Sequence, residues 1–465
     1  MPEVMIWEKL LSPERERPSK GGPHIGEHRN CFDMDYDRIV YSSSIRRLQD
    51  KAQVFPLQEN DFTRTRLTHS LETSAIGRSL GTKIGLWLKD NEPDFDPAWV
   101  THISSLLTVA GLVHDLGNPP FGHYGEEVIK NWFHAHAGGQ VKSLAPDELS
   151  DFTLFDGNAQ TLRILGRLQF LTDRHGINFC FGTLGTLLKY PWGSSNPKAA
   201  EKTKFGFFKS ESDLAARIIE ATGMISRHPV TYLLEAADDI AYLFADIEDA
   251  VKKRHLPWNE VYRELIKDDA LWKHFPGNRA SLEKDMNRLA DSKVPNEEKA
   301  LIGSQYFKIT GQVMCISAVY DEFTTQYRSI MYGNYPPGMV LLKSARIRPF
   351  VERVRDICIQ YAYQNKEVLT LEMIGKSALT TLLDKFINAV LDERSDDLRT
   401  DSGKLRALIS RNFDYVQRLD QNSIYQAGLT LSPYQRVQLV IDFISGMTDS
   451  YALGLHKKLM GVDLP

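Results

Sequence analysis

Cysteine is scarce in this chain. Its four copies, Cys31, Cys180, Cys315 and Cys358, are scattered through 465 residues and form no C-x-x-C pair. That spacing excludes a disulfide framework or a zinc ribbon and predicts reduced thiols. No apolar run reaches membrane-spanning length, so no membrane partner is expected. The opening stretch, MPEVMIWEKLLSPERERPSKGG, lacks the apolar core of a signal peptide, and the expected location is cytoplasmic. Charge of one sign is missing too: 56 Lys and Arg face 60 Asp and Glu, a net charge of −4. Nothing global therefore points to nucleic acid or a lipid surface, although a local basic patch is compatible with that balance. Internal repeats, low-complexity tracts and sustained strand alternation are absent as well. What is present, 42% hydrophobic and 25% charged residues, is ordinary for a globular protein. The length suits two or three domains, or one continuous helical core.

Periodicity predicts an all-α fold, mainly helical with at most one small hairpin. Residues 12 to 30 are polar and rich in Pro and Gly, and read as an extended or mobile arm. From Tyr36 the spacing of Ile39, Val40, Ile45, Leu48 and Ala52 is helical, and Val54-Phe55-Pro56 breaks it. Leu67, Leu71, Ala75, Leu80, Ile84 and Leu88 mark an amphipathic helix with His69 near its start, just after Arg64 and Arg66. An acidic, Pro-containing connection, 90 to 99, leads to a central helix over 102 to 116. A further helix is predicted over 126 to 136, a loop over 137 to 152 and a helix over 157 to 171. The Thr/Phe/Gly-rich piece at 176 to 186 suits a small hairpin, and a polar loop spans 193 to 204. Helical spacing resumes over 301 to 391, broken by NYPPG at 334 to 338, and continues in the last third. The expected division is an N-terminal arm (1–35), a core (36–260) and a C-terminal helical region packed on that core (261–465).

The chain is organised around VHDLGNPPFGHYGEE, 113 to 127. An almost unbroken apolar run from Leu106 to Val113 ends in His114 and Asp115. Pro119 and Pro120 then force a turn that returns His123, Glu126 and Glu127 to the same neighbourhood. A buried helix ending this way delivers an imidazole and a carboxylate to the floor of a cleft. Desolvating that carboxylate is costly unless it is paired or binds a metal. Taken alone, a His-Asp pair reads first as a capped helix end with two solvated polar residues.

A second organising element is HPVTYLLEAADDIAYLFADIEDAVKK, 228 to 253, which fits one long helix. Asp238, Tyr242, Asp246 and Asp249 fall at steps of four, four and three and share a stripe. Like charges on one face repel, so the stripe reads either as a site for a cation or hydroxyl-rich ligand, or as a solvated acidic face answered by Lys252, Lys253 and Arg254.

Together, His69, His114, Asp115 and Asp238 supply two imidazoles and two carboxylates from three predicted helices. This N/O donor set suits one divalent ion per subunit, Mg²⁺, Mn²⁺ or Fe²⁺, better than a thiolate zinc site. Four protein ligands on an octahedral ion leave two positions for water and substrate oxygens. His123, with Glu126 three residues on, is an acid/base candidate poised by a carboxylate. Arg66 and Lys189 are suited to holding a polyanion. The chemistry that fits is metal-assisted hydrolysis of a phosphate ester.

The ordered combination RTRLTHSLE, HDLGNPPFGHYGEE and EAADDIAYLFADIEDAV closely resembles the deoxyguanosine triphosphate triphosphohydrolases of the HD superfamily of metal-dependent phosphohydrolases. DFISGMTDSYAL near the C-terminus is similar to the same family. The resemblance implies an HD-domain helical core in which His69, His114, Asp115 and Asp238 bind the metal, with Co or Ni as further ions, and it selects Asp238 over Asp239. It implies that Tyr242 and Asp246 hold the sugar 3′-hydroxyl and leave no room for a 2′-hydroxyl. It also implies that Gln53 contacts the sugar, that Arg66, Lys189 and Tyr190 contact the phosphates, and that Glu372 faces the base. His123 would donate a proton to the 5′ oxygen or position the attack, oriented by Glu126. Asn118 stands where many relatives carry His, and an amide brings no charge to that substrate-binding position. No Lys follows Gly117, which argues against the cyclic-dinucleotide branch of the superfamily.

The expected activity is hydrolysis of a deoxynucleoside triphosphate, dGTP first, at the α-phosphorus to give deoxynucleoside and tripolyphosphate. Two alternatives stand beside it. One is an HD phosphohydrolase of another class, a nucleotidase or phosphodiesterase. The other is a regulatory protein binding nucleotide or single-stranded nucleic acid through Arg346, Arg348, Arg353 and Arg355 and through Lys252 to Arg254. Such a groove on an active enzyme would take single-stranded DNA or nucleotide as an effector. The resemblance also implies a homo-oligomer, a hexamer in related enzymes.

Overall fold

The computed structural model describes residues 3–17, 29–53, 64–169, 173–336 and 338–462. The chain belongs to the all-α class: among the described residues, strand pairing is limited to isolated bridges such as Ala52 with Thr65. The helices that position the site are, in chain order, α1 (Cys31–Val40), α2 (Arg66–Asn91), α3 (Trp99–Val113), α4 (Gly122–His136), α5 (Gly157–Arg163), α6 (Phe181–Leu187), α7 (Pro229–Lys252), α8 (Asn296–Met331), α9 (Arg348–Cys358), α10 (Lys366–Leu391), α11 (Pro433–Ser445) and α12 (Asp449–Leu459). Polar side chains start several of them. Asn30 caps α1 and Thr65 caps α2, each in a reciprocal capping box that satisfies two otherwise orphaned N–H groups.

α2 and α3 run antiparallel and meet backbone to backbone. A Cβ on Gly81 would lie 2.8 Å from Ser104 Cα, and one on Gly111 would lie 2.8 Å from Ser74 Cα. Only glycine permits that approach, and it places the start of α2, with His69, beside the end of α3, with His114. α7 packs across this pair and against α8. It is buried over most of its length, from Pro229 to Val251, as a helix apolar on several faces must be. Leu80, Ile84, Leu106, Leu107, Ile240 and Phe244 belong to this first apolar cluster. A second cluster joins α4 to the C-terminal helices through Ile129, Phe133, Phe386, Val440 and Ile444. α10 approaches α4 so closely that a Cβ on Gly375 would lie 2.7 Å from the Phe121 ring.

Several local expectations are corrected. The segment 176 to 186 forms no hairpin; α6 begins at Phe181, and its first amides are taken by the N-terminal segment, Phe181 N–H by Glu14 O at 2.7 Å and Gly182 N–H by Ser12 O at 3.0 Å. Partners far away in sequence override the Thr/Phe/Gly composition. Helices Pro146–Thr153 and Pro197–Lys202 occupy parts of the expected loops, each started by a proline in its first turn. Helix α1 begins at Cys31, before Tyr36. Of the arm expected over 12 to 30, residues 18–28 lie outside the described residues, as do the break at Val54-Phe55-Pro56, Leu171 and Pro337. The described part is pinned: Arg15 donates to Asp35 at 2.6 Å and to Asn178 O at 2.5 Å, and Trp7 donates to Tyr327 Oη at 2.9 Å.

Candidate active site

The turn after α3 builds the floor. α3 ends at Val113, and His114 and Asp115 sit in the turn itself, one step beyond the helix expected to carry them. Gly117 presses against α5, where a Cβ would lie 2.1 Å from Gly157 O. The double proline ends in two consecutive left-handed residues, Phe121 (φ 63°) and Gly122 (φ 59°). At Gly122 the positive φ favours glycine, and a Cβ there would lie 2.3 Å from Arg66 Nη2 and push that guanidinium aside. Phe121, a bulky residue in that region, is a genuine outlier that the surroundings must hold in place.

His69, His114 and Asp115 each offer one ligand atom within 4.8 Å of the others. Asp238 reaches them from α7: its Oδ1 lies 2.9 Å from His69 Nε2 and 3.3 Å from His114 Nε2, while His114 Nε2 is 3.4 Å from Asp115 Oδ1. These separations are close to the ~3.0 Å edge of an octahedron with bonds of about 2.1 Å. His114 Nδ1 sits 2.8 Å from Gly111 O. An N–H donated there fixes the tautomer and leaves the Nε2 lone pair facing the carboxylates. That Nε2 is buried without a hydrogen-bond partner, which is costly unless a cation or proton occupies the gap. His69, His114 and Asp115 therefore fit a divalent ion, and Asp238 stands beside both imidazoles as a fourth candidate ligand.

The electrostatics agree. Burial works against the His114 cation, but Asp115 and Asp238 outweigh it and raise its pKa to about 9. Burial likewise works against the Asp115 carboxylate, and His114 and Arg66 hold it well below the usual carboxylate range. Asp238 is held low by His114 and His69 against the same penalty. A site that stabilises two carboxylates and a proton between imidazoles has the charge to exchange that proton for a metal.

Beside the floor lies a cavity of about 340 Å³, large enough for a small organic ligand. Gln53, Arg66, His123, Tyr242 and Glu372 line its walls, as does Asp239, beside Asp238. Arg66 Nη1 binds Asp115 Oδ2 at 2.5 Å, while its Nε and the Gln53 Oε1 are buried without partners. Tyr242 stacks on Tyr363 with ring centroids 5.9 Å apart. Tyr363 comes from a π-helical turn, Ile359–Tyr363, that extends α9, and its hydroxyl donates to Asp246 Oδ2. Burial pushes the Asp246 pKa up to about 8, with the Tyr363 bond pulling the other way. Asp246 thus lies behind the wall, hydrogen-bonded to Tyr363.

His123 projects into the cavity with its side chain 82% exposed, its Nδ1 3.4 Å from Glu126 Oε2. Glu126 is buried; its Oε1 accepts Gly157 N–H at 2.8 Å, and Lys204 Nζ lies 3.7 Å from Oε2. Burial disfavours the Glu126 anion, yet His123, Lys204 and that amide bring its pKa down to about 2. The Glu126 hydrogen bond in turn raises the His123 pKa.

Besides Asp246, three residues expected at the substrate lie off this cavity. Asn118 donates Nδ2–H to Asp115 Oδ1 at 2.6 Å and so braces a metal-ligand candidate. Lys189 lines a smaller cleft behind His114 and Asp238 and pairs with Glu235 at 2.7 Å. Tyr190 packs under the Arg227 guanidinium at 5.4 Å. The acidic stripe is not a solvated face. Its last member, Asp249, is bound by Arg64, which also reaches Glu248 at 2.5 Å and Glu72 at 3.2 Å. The arginines at 346 to 355 are matched by acids: Arg346 with Asp321, Arg348 with Glu352, Arg353 with Glu264 and Arg355 with Asp239. They form no unmatched basic stripe. Sequence reasoning missed Lys204 and Tyr363; neither stands in a motif of recognisable spacing. Among the described residues, no helix is long and apolar enough to cross a membrane.

Known proteins resemble this chain along its length. Residues 66–142 match the HD domain and residues 342–458 match the phosphohydrolase-associated domain. A Listeria monocytogenes protein named deoxyguanosinetriphosphate triphosphohydrolase-like is 37% identical over 98% of this chain and 100% of its own length. A Pseudomonas aeruginosa protein of the same name is 34% identical over 99% of this chain and all of its own. A Salmonella arizonae protein named deoxyguanosinetriphosphate triphosphohydrolase is 30% identical over the full length of both.

Proposed function

Since the chain belongs to the deoxyguanosinetriphosphate triphosphohydrolase family of HD-domain hydrolases, we propose that it hydrolyses a deoxynucleoside triphosphate at the α-phosphorus, releasing deoxynucleoside and tripolyphosphate. The observation that carries this reading is the convergence of His69, His114, Asp115 and Asp238 on one point beside a cavity walled by Arg66, His123 and Tyr242. Those four residues would hold a divalent ion, Mg²⁺ or Mn²⁺ by donor type, which would supply charge neutralisation at the phosphoryl oxygens and an activated water.

The chain's own residues do the rest. Arg66 directs its guanidinium at the innermost phosphate while its bond to Asp115 keeps it in place. His123, its proton retained by ionised Glu126, faces the cavity where a 5′-oxygen leaves and needs that proton. Tyr242 presents a ring edge to the sugar, backed by Tyr363, and an added 2′-hydroxyl meets that surface. Asp246 acts through Tyr363 and Tyr242, not as an exposed anion. Positioning and preorganised charge provide most of the acceleration.

Base choice falls to Glu372, which lines the cavity from α10. A carboxylate accepts from two donors side by side, as the N1–H and amino group of guanine present them, and this favours dGTP. The test is a hydrolysis panel of the four deoxynucleoside triphosphates with Mg²⁺ and with Mn²⁺, products read by mass. Tripolyphosphate with deoxynucleoside is expected, fastest for dGTP. Diphosphate with monophosphate, or orthophosphate, overturns the reading.

A further inference from the structure

Asp449, the first residue of α12, is 2% exposed, and both its oxygens are occupied. Oδ2 accepts Ala52 N–H at 2.9 Å and Oδ1 accepts Phe121 N–H at 2.9 Å. The next residue after Ala52 is Gln53, and after Phe121 come Gly122 and His123; all line the cavity. One carboxylate thus joins two walls that are far apart in sequence.

The surroundings tighten the same knot. Lys51 is almost fully buried, and its ammonium donates to Asn118 O at 2.6 Å and Ser445 O at 2.8 Å. Lys51 O accepts Arg66 N–H at 2.8 Å, and Ala52 pairs with Thr65. The segments carrying Gln53, Arg66, His123 and the Asp115–Asn118 pair all meet here. The ends of α11 and α12, from the phosphohydrolase-associated region, close the knot.

Two buried N–H groups pointing at one spot need an acceptor that brings no donor of its own. A carboxylate meets that demand with one oxygen for each N–H, whereas an amide in the same place turns its NH₂ towards one of them. Phe121 also holds a backbone conformation that a bulky residue avoids, and the hydrogen bond its N–H donates to Asp449 helps hold that peptide in place.

We propose that Asp449 is a positioning residue of this active site, setting the separation between the Gln53 wall and the His123 wall. It does not touch substrate. The inference rests on the hydrolase reading for its kinetic consequence, but the tether itself is measurable without substrate.

The experiment compares wild type, Asp449→Asn and Asp449→Glu by amide hydrogen exchange, steady-state kinetics and bound-metal content. In Asp449→Asn, exchange at Ala52 or Phe121 is expected to rise about tenfold or more. The kcat should fall about a hundredfold, as for a misplaced catalytic group, with KM within about threefold and metal content unchanged. Asp449→Glu, which keeps both acceptors, should recover part of that kcat. Unchanged exchange, unchanged kcat, or equal losses in the two variants overturn the proposal. If neither variant folds, wild-type exchange decides: slow Ala52 and Phe121 amides uphold the tether and fast ones overturn it. A wild-type enzyme that releases no tripolyphosphate defeats the hydrolase reading alone.

Discussion

Oε1 of Glu126 accepts the backbone N–H of Gly157 at 2.8 Å, which leaves only Oε2 to face His123. The carboxylate is thereby aimed by the start of α5, and its hydrogen bond to the imidazole, with its charge second, raises the His123 pKa. Glu126→Gln keeps an oxygen for Gly157 and removes that charge. The His123 pKa, now raised by Glu126, should drop, so the protonated imidazole is lost at lower pH. The alkaline limb of the pH–rate profile is expected to move to lower pH. A profile with that limb unmoved removes His123 from the acid role. His123→Ala should cut kcat by roughly 10²–10⁴ with metal content intact.

Asp238 is the member of the metal set that comes from α7, and it bridges both imidazoles at 2.9 and 3.3 Å. Asp238→Ala should therefore lose bound metal and turnover together. Elemental analysis after dialysis checks this directly; a variant that keeps a full equivalent of metal shows that the ion sits elsewhere.

Tyr242 is held against Tyr363 by stacking, so it cannot swing away to admit a larger sugar. Tyr242→Ala opens that side of the cavity. The ratio of ribonucleotide to deoxyribonucleotide hydrolysis, as kcat/KM, should rise by about tenfold or more. An unchanged ratio retires Tyr242 as the sugar gate.

His228 caps α7 with Nδ1, which accepts Val230 N–H at 3.1 Å, while its Nε2 meets Leu10 O at 3.0 Å. Burial lowers its pKa to about 4, only partly offset by the Leu10 bond. Between about pH 6.5 and pH 4 the unfolded chain binds a proton that the folded chain refuses. Its contribution is complete above the unfolded pKa and is lost as pH falls towards the folded one, roughly 3 kcal/mol across the window. Urea unfolding at neutral pH and near pH 4.5 should show a smaller acid loss for His228→Asn than for wild type. Equal losses place the acid sensitivity elsewhere.

Much of the site was legible because its residues stand where helices start and stop. His69 follows a capped helix start, and His114 and Asp115 follow an apolar run cut short by prolines. Asp238 was legible as part of a stripe, but the stripe's meaning was not. Asp238 faces the metal floor, Tyr242 the cavity and Asp246 a tyrosine, while Asp249 meets Arg64 from 185 residues away. Separations of that kind leave no local trace. Lys204, Tyr363 and Asp449 escaped for the same reason: their importance lies in what they touch. The hairpin expected at 176 to 186 failed because composition favoured a strand while the carbonyls of Ser12 and Glu14 were in place to start a helix.

Because α2 and α3 touch main chain to main chain, the spacing of His69 and His114 is written into glycines, not into any side chain that substitution can shorten or extend. Enlarging Gly81 or Gly111 prises the pair apart; nothing smaller exists to draw it closer. Retuning this centre for another ion therefore has to proceed through its acids. Asp115 sits on the turn beside His114, held there by Arg66 and Asn118, whereas Asp238 comes from a separate helix outside that contact.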